Sequence, residues 1–221
     1  MNIPEGLLPA WVAWITLPVF VSLAIWAVLR APWRLLQEND LQHVFFGATV
    51  LLVLLWRMQA GIHAGLELHL LGITSMTLIF GWRLALVGAS LALLVHTAMG
   101  FYDWATLGIN GLIGVVLPVM LASRLHRLVA TWLPRHFFVY VLVSAHLAAM
   151  LVIGATMATG GLLLGLFGAY PWERVVGDYL VLMPLIMLPE GFINGTTMTM
   201  LTVFKPEWVR SFDDRDYIHG K

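Results

Sequence analysis

The sequence predicts an all-α integral membrane protein, and its composition is the first observation behind that prediction. Of the 221 residues, 60% are hydrophobic and only 11% are charged, whereas soluble domains carry about 25% charged residues. So few charges cannot solvate the surface of a soluble enzyme. The 12 Lys and Arg residues balance 12 Asp and Glu residues, so no net positive charge attracts nucleic acid. We therefore expect membrane lipid, and no nucleic acid, around the chain.

Seven apolar segments are candidates for membrane-spanning helices, because a helix needs about 20 mostly apolar residues to cross a bilayer. In chain order they are Leu7–Leu29, Gln42–Arg57, His69–Gly81, Leu84–Gly100, Leu107–Leu121, Phe137–Leu166 and Tyr179–Phe204. The third and fifth are short for a full span, as expected of interrupted or tilted helices beside a water-filled site. Glu5 stands where a signal peptide has basic residues, so we expect the first segment to be retained.

The basic residues predict how these segments are oriented, since cytoplasmic loops carry an excess of Lys and Arg. With the amino terminus outside, only Arg57 and Arg174 fall outside. The other ten then lie on the cytoplasmic side: Arg30, Arg34, Arg83, Arg124, Arg127, Arg135, Lys205, Arg210, Arg215 and Lys221. We expect the amino terminus outside, the carboxy terminus in the cytoplasm, and one membrane domain over residues 1–221. Its short polar cytoplasmic tail, about 207–221, is expected to be mobile from Ser211 onward.

A loop before the third segment holds the first candidate site. It contains His63, Glu67 and His69 within seven residues, on the predicted outer side. Gly61 and Gly65 would allow the loop to turn sharply enough to bring the three side chains together. Imidazole and carboxylate suit Ni, Co, Zn or Cu, and the chain has no Cys to supply a thiolate. The pattern fits either a metal site or solvated histidines that cap helix ends.

Two polar residues inside predicted spans are further candidates, because such residues are costly in a membrane unless paired or solvated. His96 lies near the outer end of the fourth segment, on the same predicted side as His63 and His69. It is either a hydrogen-bonded residue of the bundle or a further metal ligand. Glu190 is the only carboxylate well inside a span. It is either a proton or ion site, or a partner for Asn194 or for a helix end.

Five short motifs follow one another in a fixed order along nearly the whole chain. They are Met1-Asn2-Ile3-Pro4-Glu5-Gly6, His69-Leu70-Leu71-Gly72, Gly81-Trp82-Arg83, Leu107-Gly108-Ile109-Asn110, and Glu190-Gly191-Phe192-Ile193-Asn194-Gly195 with Lys205-Pro206 after it. Together they resemble the substrate-binding membrane subunits of cobalt/nickel energy-coupling-factor transporters, the CbiM/NikM family. The resemblance implies a multi-pass protein of the bacterial or archaeal cytoplasmic membrane that captures a divalent transition-metal ion outside and delivers it inward.

The resemblance also implies a set of metal ligands, from which this sequence departs. In the family, the metal is held by the amino group of residue one, the amide and imidazole of residue two, and a loop His that corresponds to His69. Here Asn2 supplies no imidazole, His63 appears in the loop, and His96 stands where the family usually has Gln. We hypothesise a rebuilt site that suits Zn or Cu as well as Ni or Co. Its candidate ligands are His69, His63, His96, Glu67 and Met1.

The sequence contains no Gly-x-x-x-x-Gly-Lys-[Ser/Thr] motif, so the chain is expected to be a transporter subunit without ATPase activity, and not an enzyme. The resemblance implies a transmembrane coupling subunit and cytoplasmic ATPase subunits as partners, with a small accessory membrane subunit in some systems. The metal is the substrate, and no organic cofactor is expected. The alternative is a membrane redox protein that binds b-type haem between His96 and His146, which requires the two imidazoles to face each other.

Overall fold

A computed structural model describes residues 2–61 and 63–217, and these residues are mostly helical. Seven described helices have eight or more residues: α1 (Ala10–Arg30), α2 (Asn39–Arg57), α3 (Ile73–Phe80), α4 (Trp82–Ala98), α5 (Trp104–Trp132), α6 (Phe137–Leu166) and α7 (Trp172–Phe204). Short 3₁₀ turns cover Trp33–Gln37 and Pro206–Trp208, and a one-turn helix, α8, covers Asp214–Tyr217. Strands β1 (Ala60–Gly61) and β2 (Glu67–Leu68) pair antiparallel between α2 and α3.

Five of the described helices, α1, α2, α5, α6 and α7, are long and apolar enough to cross a bilayer, and α4 is a shorter apolar helix. Large apolar side chains such as Trp14 on α1 and Leu185 on α7 are exposed. A water-soluble protein would bury such residues, whereas the hydrocarbon of a bilayer solvates them. The prediction of a multi-pass membrane protein is therefore confirmed. The count of seven spans and the orientation of the termini stay predictions.

The third and fifth predicted segments differ most from the structure. Only Ile73–Phe80 of His69–Gly81 is helical, and eight residues extend about 12 Å, too short to cross a bilayer. Every residue of α3 is buried by the other helices. Leu107–Leu121, predicted to be short, belongs instead to the 29-residue helix α5. Hydropathy alone cannot distinguish a short helix buried by protein, such as α3, from a membrane-spanning helix. It also cannot locate the end of a helix such as α5, whose last turns are polar.

Helix α3 lies at the centre of the bundle, where it packs against α4, α5, α6 and α7. Glycines permit close crossings between the surrounding helices. A Cβ on Gly108 of α5 would lie 2.3 Å from the backbone nitrogen of Leu17, so only glycine fits where α1 crosses α5. On α7, a Cβ on Gly195 would lie 3.0 Å from Nδ1 of His146 on α6. The imidazole of His146 is thus part of the packing between α6 and α7.

The carboxy-terminal tail packs on the bundle up to Tyr217, which corrects the prediction that it is mobile from Ser211 onward. The backbone N–H groups of Arg210 and Ser211 donate to the carbonyls of Ile79 and Leu78, at 3.0 and 3.2 Å. Phe212 is buried, and its ring stacks on Tyr217 at 5.0 Å between centroids. The tail docks because the last carbonyls of α3 have no partner within that helix.

Candidate metal site

The backbone between β2 and α3 is irregular and is held in place by a buried carboxylate. The N–H groups of Leu71 and Gly72 donate to Oε2 and Oε1 of Glu190 on α7, at 2.7 and 2.9 Å. Gly72 has φ +66°, a conformation that glycine adopts without strain. The start of a helix has free N–H groups and favours negative charge. Of the explanations that the sequence allowed for Glu190, the structure therefore supports the helix end.

Asn194, one helical turn after Glu190, completes this contact. Its Oδ1 accepts hydrogen bonds from the backbone N–H and the hydroxyl of Ser75, both at 2.8 Å. Its Nδ2 donates to Oε1 of Glu190, also at 2.8 Å. Both side chains are 1% exposed. The Glu190–Asn194 pair thus holds the start of α3 through Leu71, Gly72 and Ser75, just after His69 along the chain.

Two buried imidazoles share one tryptophan at the end of the bundle where α2 ends and α3 begins. The ring centroid of Trp56 lies 6.0 Å from that of His69 and 6.1 Å from that of His96. Its Nε1 donates to the carbonyl of Leu71 at 3.0 Å, which fixes the indole against the segment that carries His69. His69 is 6% exposed and His96 is 1% exposed. Trp56 therefore holds the two predicted ligands beside a common ring.

Hydrogen bonding selects the nitrogen of His96 that can bind a ligand. Its Nδ1 lies 3.2 Å from the carbonyl of Ala92, and a carbonyl only accepts, so Nδ1 carries the proton. Nε2 of the neutral ring then presents a lone pair, and this buried atom has no hydrogen-bond partner among the described residues. Metal-binding histidines commonly donate one ring N–H to such a carbonyl while the other nitrogen binds the ion.

A cavity of about 10 Å³ lies against His69, Trp56, Tyr102 and Asn110, which is about the volume of one water-sized sphere. The Tyr102 hydroxyl and Oε2 of Glu67 are also buried without a partner among the described residues. Burial raises the pKa of the Glu67 carboxyl. Burial and the nearby Glu67 carboxylate both raise the pKa of Tyr102. Buried polar atoms without partners are uncommon, and several in one region form a suitable environment for a bound water molecule or ion.

The start of the chain enters the same region. The N–H of Ile3 donates to Oδ1 of Asn110 at 2.8 Å, and Nδ2 of Asn110 donates to the Ile3 carbonyl at 3.1 Å and to Oδ1 of Asn2 at 3.4 Å. Asn2 and Ile3 are both buried. Residue two thus lies beside the cavity that Asn110 and His69 line. Met1, a predicted ligand, lies outside the described residues.

His63 lies apart from the other predicted ligands. Its Nε2 is 3.1 Å from Oδ2 of Asp178, near the start of α7, and its ring lies beside Tyr170 at 5.7 Å between centroids. Across residues 2–61 and 63–217, no three His, Asp or Glu side chains converge closely enough to hold a metal ion by themselves. The structure therefore places His69 and His96 each beside Trp56, and Glu67 near Tyr102, whereas His63 contacts Asp178 and Tyr170 instead.

Two aromatic residues of this site, Trp56 and Tyr102, were not predicted from the sequence. Trp56 ends an apolar segment and Tyr102 lies in a short loop, and such positions are common for aromatic residues at membrane interfaces.

The haem alternative finds no support in the described contacts. His96 lies against Trp56 and Tyr102, whereas His146 lies against Gly195. Nothing in these contacts places the two imidazoles face to face, as haem requires.

Comparisons with known proteins agree with the architecture. Two solved structures share the fold. One is a truncated transition metal transporter, with a TM-score of 0.76 and 18% identity, and the match covers 92% of this chain and 99% of that chain. The other is a transition metal transporter, with a TM-score of 0.77 and 17% identity, and the match covers 92% of this chain and 93% of that chain. No curated protein matches the sequence. The family described as the cobalt uptake substrate-specific transmembrane region, CbiM, matches residues 2–208. The chain therefore belongs to the CbiM family, whose members are membrane components of metal uptake and not enzymes.

Proposed function

We propose that the chain is the substrate-binding membrane subunit of an energy-coupling-factor ABC transporter, and that it binds a divalent transition-metal ion between His69 and His96. One observation carries the proposal. Two buried imidazoles share Trp56 beside a cavity of about 10 Å³, and polar atoms of His96, Tyr102 and Glu67 are buried in this region without partners. Membership of the CbiM family supports metal uptake as the function.

The donor atoms favour some ions over others. Two imidazoles, with oxygen from Glu67 or an asparagine, form a nitrogen and oxygen set that suits Co, Zn, Ni and Cu. The position-two imidazole that completes a planar chelate in the family is absent, because Asn2 stands there. We therefore propose that cobalt or zinc, in a tetrahedral or less planar geometry, binds more tightly than nickel. Met1 remains a candidate ligand within this proposal, whereas His63, which pairs with Asp178, does not.

Transport requires other proteins in this proposal, because the sequence has no nucleotide-binding motif. A transmembrane coupling subunit and cytoplasmic ATPase subunits would supply the energy, with a small accessory membrane subunit where the system has one. This chain would select the ion outside and release it inward. This chain would thus determine the affinity and selectivity for the ion, and the complete complex would accumulate the ion against a gradient.

Metal titration of the purified chain tests the binding claim. The protein is prepared without a His tag and titrated with Co, Ni, Zn and Cu, each in competition with a chelator of known affinity. We expect one ion per chain and tighter binding of cobalt or zinc than of nickel. His136→Ala is a suitable control, because this partly exposed residue caps the start of α6, away from the candidate site. Absence of binding for all four ions would contradict the proposal.

An uptake assay tests the proposed division of labour between subunits. We expect the chain alone in liposomes to bind the ion without concentrating it. Accumulation should appear only when coupling and ATPase subunits are present together with ATP. Uptake against a gradient by this chain alone, without ATP, would contradict the assignment to an energy-coupling-factor transporter.

A further inference from the structure

A second cavity, of about 250 Å³, lies at the end of the bundle away from the candidate metal site. It is formed by the end of α3, the start of α4, the carboxy-terminal third of α5 and the docked tail. Three arginines contribute to its wall: Arg83 on α4, Arg127 on α5 and Arg210 in the tail. Its described lining includes no Asp or Glu side chain. We refer to it as the arginine cavity.

The positive charge of the arginine cavity is not balanced within the described part of the chain. None of its three arginines forms an ion pair with a described Asp or Glu. Three described carboxylates of the tail have other partners: Asp216 pairs with Arg135, Glu207 with Lys205 at 3.5 Å, and Asp213 accepts from the N–H of Arg215 at 2.9 Å. Among the described residues, Nε of Arg83 is buried without a hydrogen-bond partner, and its guanidinium lies 4.9 Å from the ring centroid of Trp82. A buried N–H of a charged group without an acceptor is costly, so this geometry is typical of a site that an anion completes.

The backbone at the arginine cavity adds hydrogen-bond donors. Helix α4 begins at Trp82 with no side-chain cap and no acidic residue in its first turn. The free N–H groups and the dipole of such a helix start favour an anion. Two carbonyls near the end of α3, those of Ile79 and Leu78, would repel an anion but are already bonded to the N–H groups of Arg210 and Ser211. The helix start thus complements the three guanidinium groups.

We propose that the arginine cavity binds a phosphate group, and that the headgroup of an anionic phospholipid supplies it. The ring of Trp82 stacks on Trp26 of α1 at 5.0 Å between centroids, and Trp26 is exposed. Tryptophans concentrate at the level of the lipid headgroups, so this pair places the cavity at that level. Basic pockets between membrane helices bind anionic headgroups in this way. Free phosphate offers the same chemistry from solution. The inference does not depend on the proposed metal site.

Lipid binding by the purified full-length chain in detergent tests the proposal. Bound lipid is measured by native mass spectrometry, and the thermal unfolding midpoint is followed in parallel. The added ligands are dioleoylphosphatidylglycerol, dioleoylphosphatidylcholine and inorganic phosphate. We expect phosphatidylglycerol to bind more tightly than phosphatidylcholine and to raise the unfolding midpoint. Arg83→Gln and Arg210→Gln should each weaken this binding about 5-fold, as expected from roughly one charge contact.

Two further variants make the test specific. Arg124→Gln is the matched control, because Arg124 is exposed on α5 and does not line the cavity; it should bind like the wild type. Arg210→Lys keeps the charge and should retain most of the affinity, which distinguishes lost charge from an undocked tail. Stabilisation by inorganic phosphate alone, with the same dependence on Arg83 and Arg210, would support the site and identify a soluble ligand. Equal binding by wild type, Arg83→Gln and Arg210→Gln would overturn the proposal.

Discussion

At the scale of single residues, backbone carbonyls orient the two candidate imidazole ligands. Nδ1 of His69 lies 3.1 Å from the carbonyl of Leu70, and Nδ1 of His96 lies 3.2 Å from that of Ala92. Because a carbonyl only accepts, both rings carry their proton on Nδ1. Nε2 is then the nitrogen on each ring that suits a metal ion. This common tautomer makes the pair suitable as ligands before any ion arrives.

Asn110 is the residue that ties the start of the chain to the candidate site. Asn110→Ala should leave the N–H of Ile3 and the side chain of Asn2 without partners, which costs about 1–3 kcal/mol of stability. Metal affinity should also fall, by roughly 10–100-fold, as is typical when the support of a ligand is removed. Denaturation and metal titration measure the two effects. Thr131→Ala, which removes only a bond within α5, is the control. Unchanged stability would show that Asn110 does not anchor the chain start.

Glu67 gives a prediction for pH dependence without metal. Burial raises the pKa of its carboxyl above the ordinary value of 4.5. The folded state thus favours the protonated form, so the contribution of Glu67 to stability is present at low pH and is lost as the pH rises through the raised pKa. Metal-free Glu67→Gln should match the wild type at about pH 4 and be more stable at pH 8, as measured by thermal unfolding. A less stable Glu67→Gln variant at pH 8 would contradict this account.

At the scale of elements, α3 is a half-helix whose first turn depends on another helix. Glu190 accepts from the two N–H groups just before the helix, those of Leu71 and Gly72, and Asn194 accepts from the N–H of Ser75 in its first turn. Both acceptors lie about 119 positions away along the chain. Non-helical backbone inside a membrane is tolerated where protein buries it and satisfies its hydrogen bonds. The same contact fixes the segment that follows His69. The late start of α3, after a non-helical segment, therefore positions the candidate ligand His69.

Replacement of Glu190 tests this role. Glu190→Gln keeps one acceptor but turns an NH₂ group toward the second N–H, so stability should fall by about 1.5–3 kcal/mol, the usual worth of a hydrogen bond to a charged group. Metal affinity should fall with it, because the His69 segment loses its support. Glu207→Gln is the matched control, since its exposed pair with Lys205 is worth at most about 1 kcal/mol. Equal stability of the two variants would show that Glu190 does not hold α3.

The sequence predicts some of these elements and not others, for physical reasons. Composition and hydropathy predict the multi-pass helical architecture, because the bilayer imposes apolar helices. They do not predict the length of α3, because a short buried helix is as apolar as a span. The contact of Glu190 with Gly72 joins distant parts of the chain, and no local pattern encodes it. For the same reason the sequence grouped His63 with His69, whereas the fold pairs His63 with Asp178.

At the scale of the whole molecule, the candidate metal site and the arginine cavity occupy different ends of the bundle. His96 and Arg83 lie near opposite ends of α4, and a rise of 1.5 Å per residue separates them by about 20 Å along its axis. The distribution of basic residues predicts that the metal site faces outward. This arrangement fits a protein that takes up an ion on one side and meets partners or lipid on the other.

A reporter fusion tests the predicted orientation. A reporter that is active only in the cytoplasm, fused after Lys221, should give a signal, because ten of the 12 basic residues lie on that side under the prediction. The same reporter fused within residues 99–103, between α4 and α5, is the matched control and should be silent. A silent carboxy-terminal fusion with an active loop fusion, both stably expressed, would reverse the orientation and place the candidate site inside.

The central claim is that His69 and His96 together bind the metal ion, and calorimetric titration of four variants tests it most directly. His69→Ala and His96→Ala should each weaken binding at least 10–100-fold, since each removes a ligand and changes around ligands alone cost that much. His136→Ala should bind like the wild type. His63→Ala should retain most of the affinity, because His63 pairs with Asp178 away from the cavity. Unchanged affinity in both His69→Ala and His96→Ala would contradict the account.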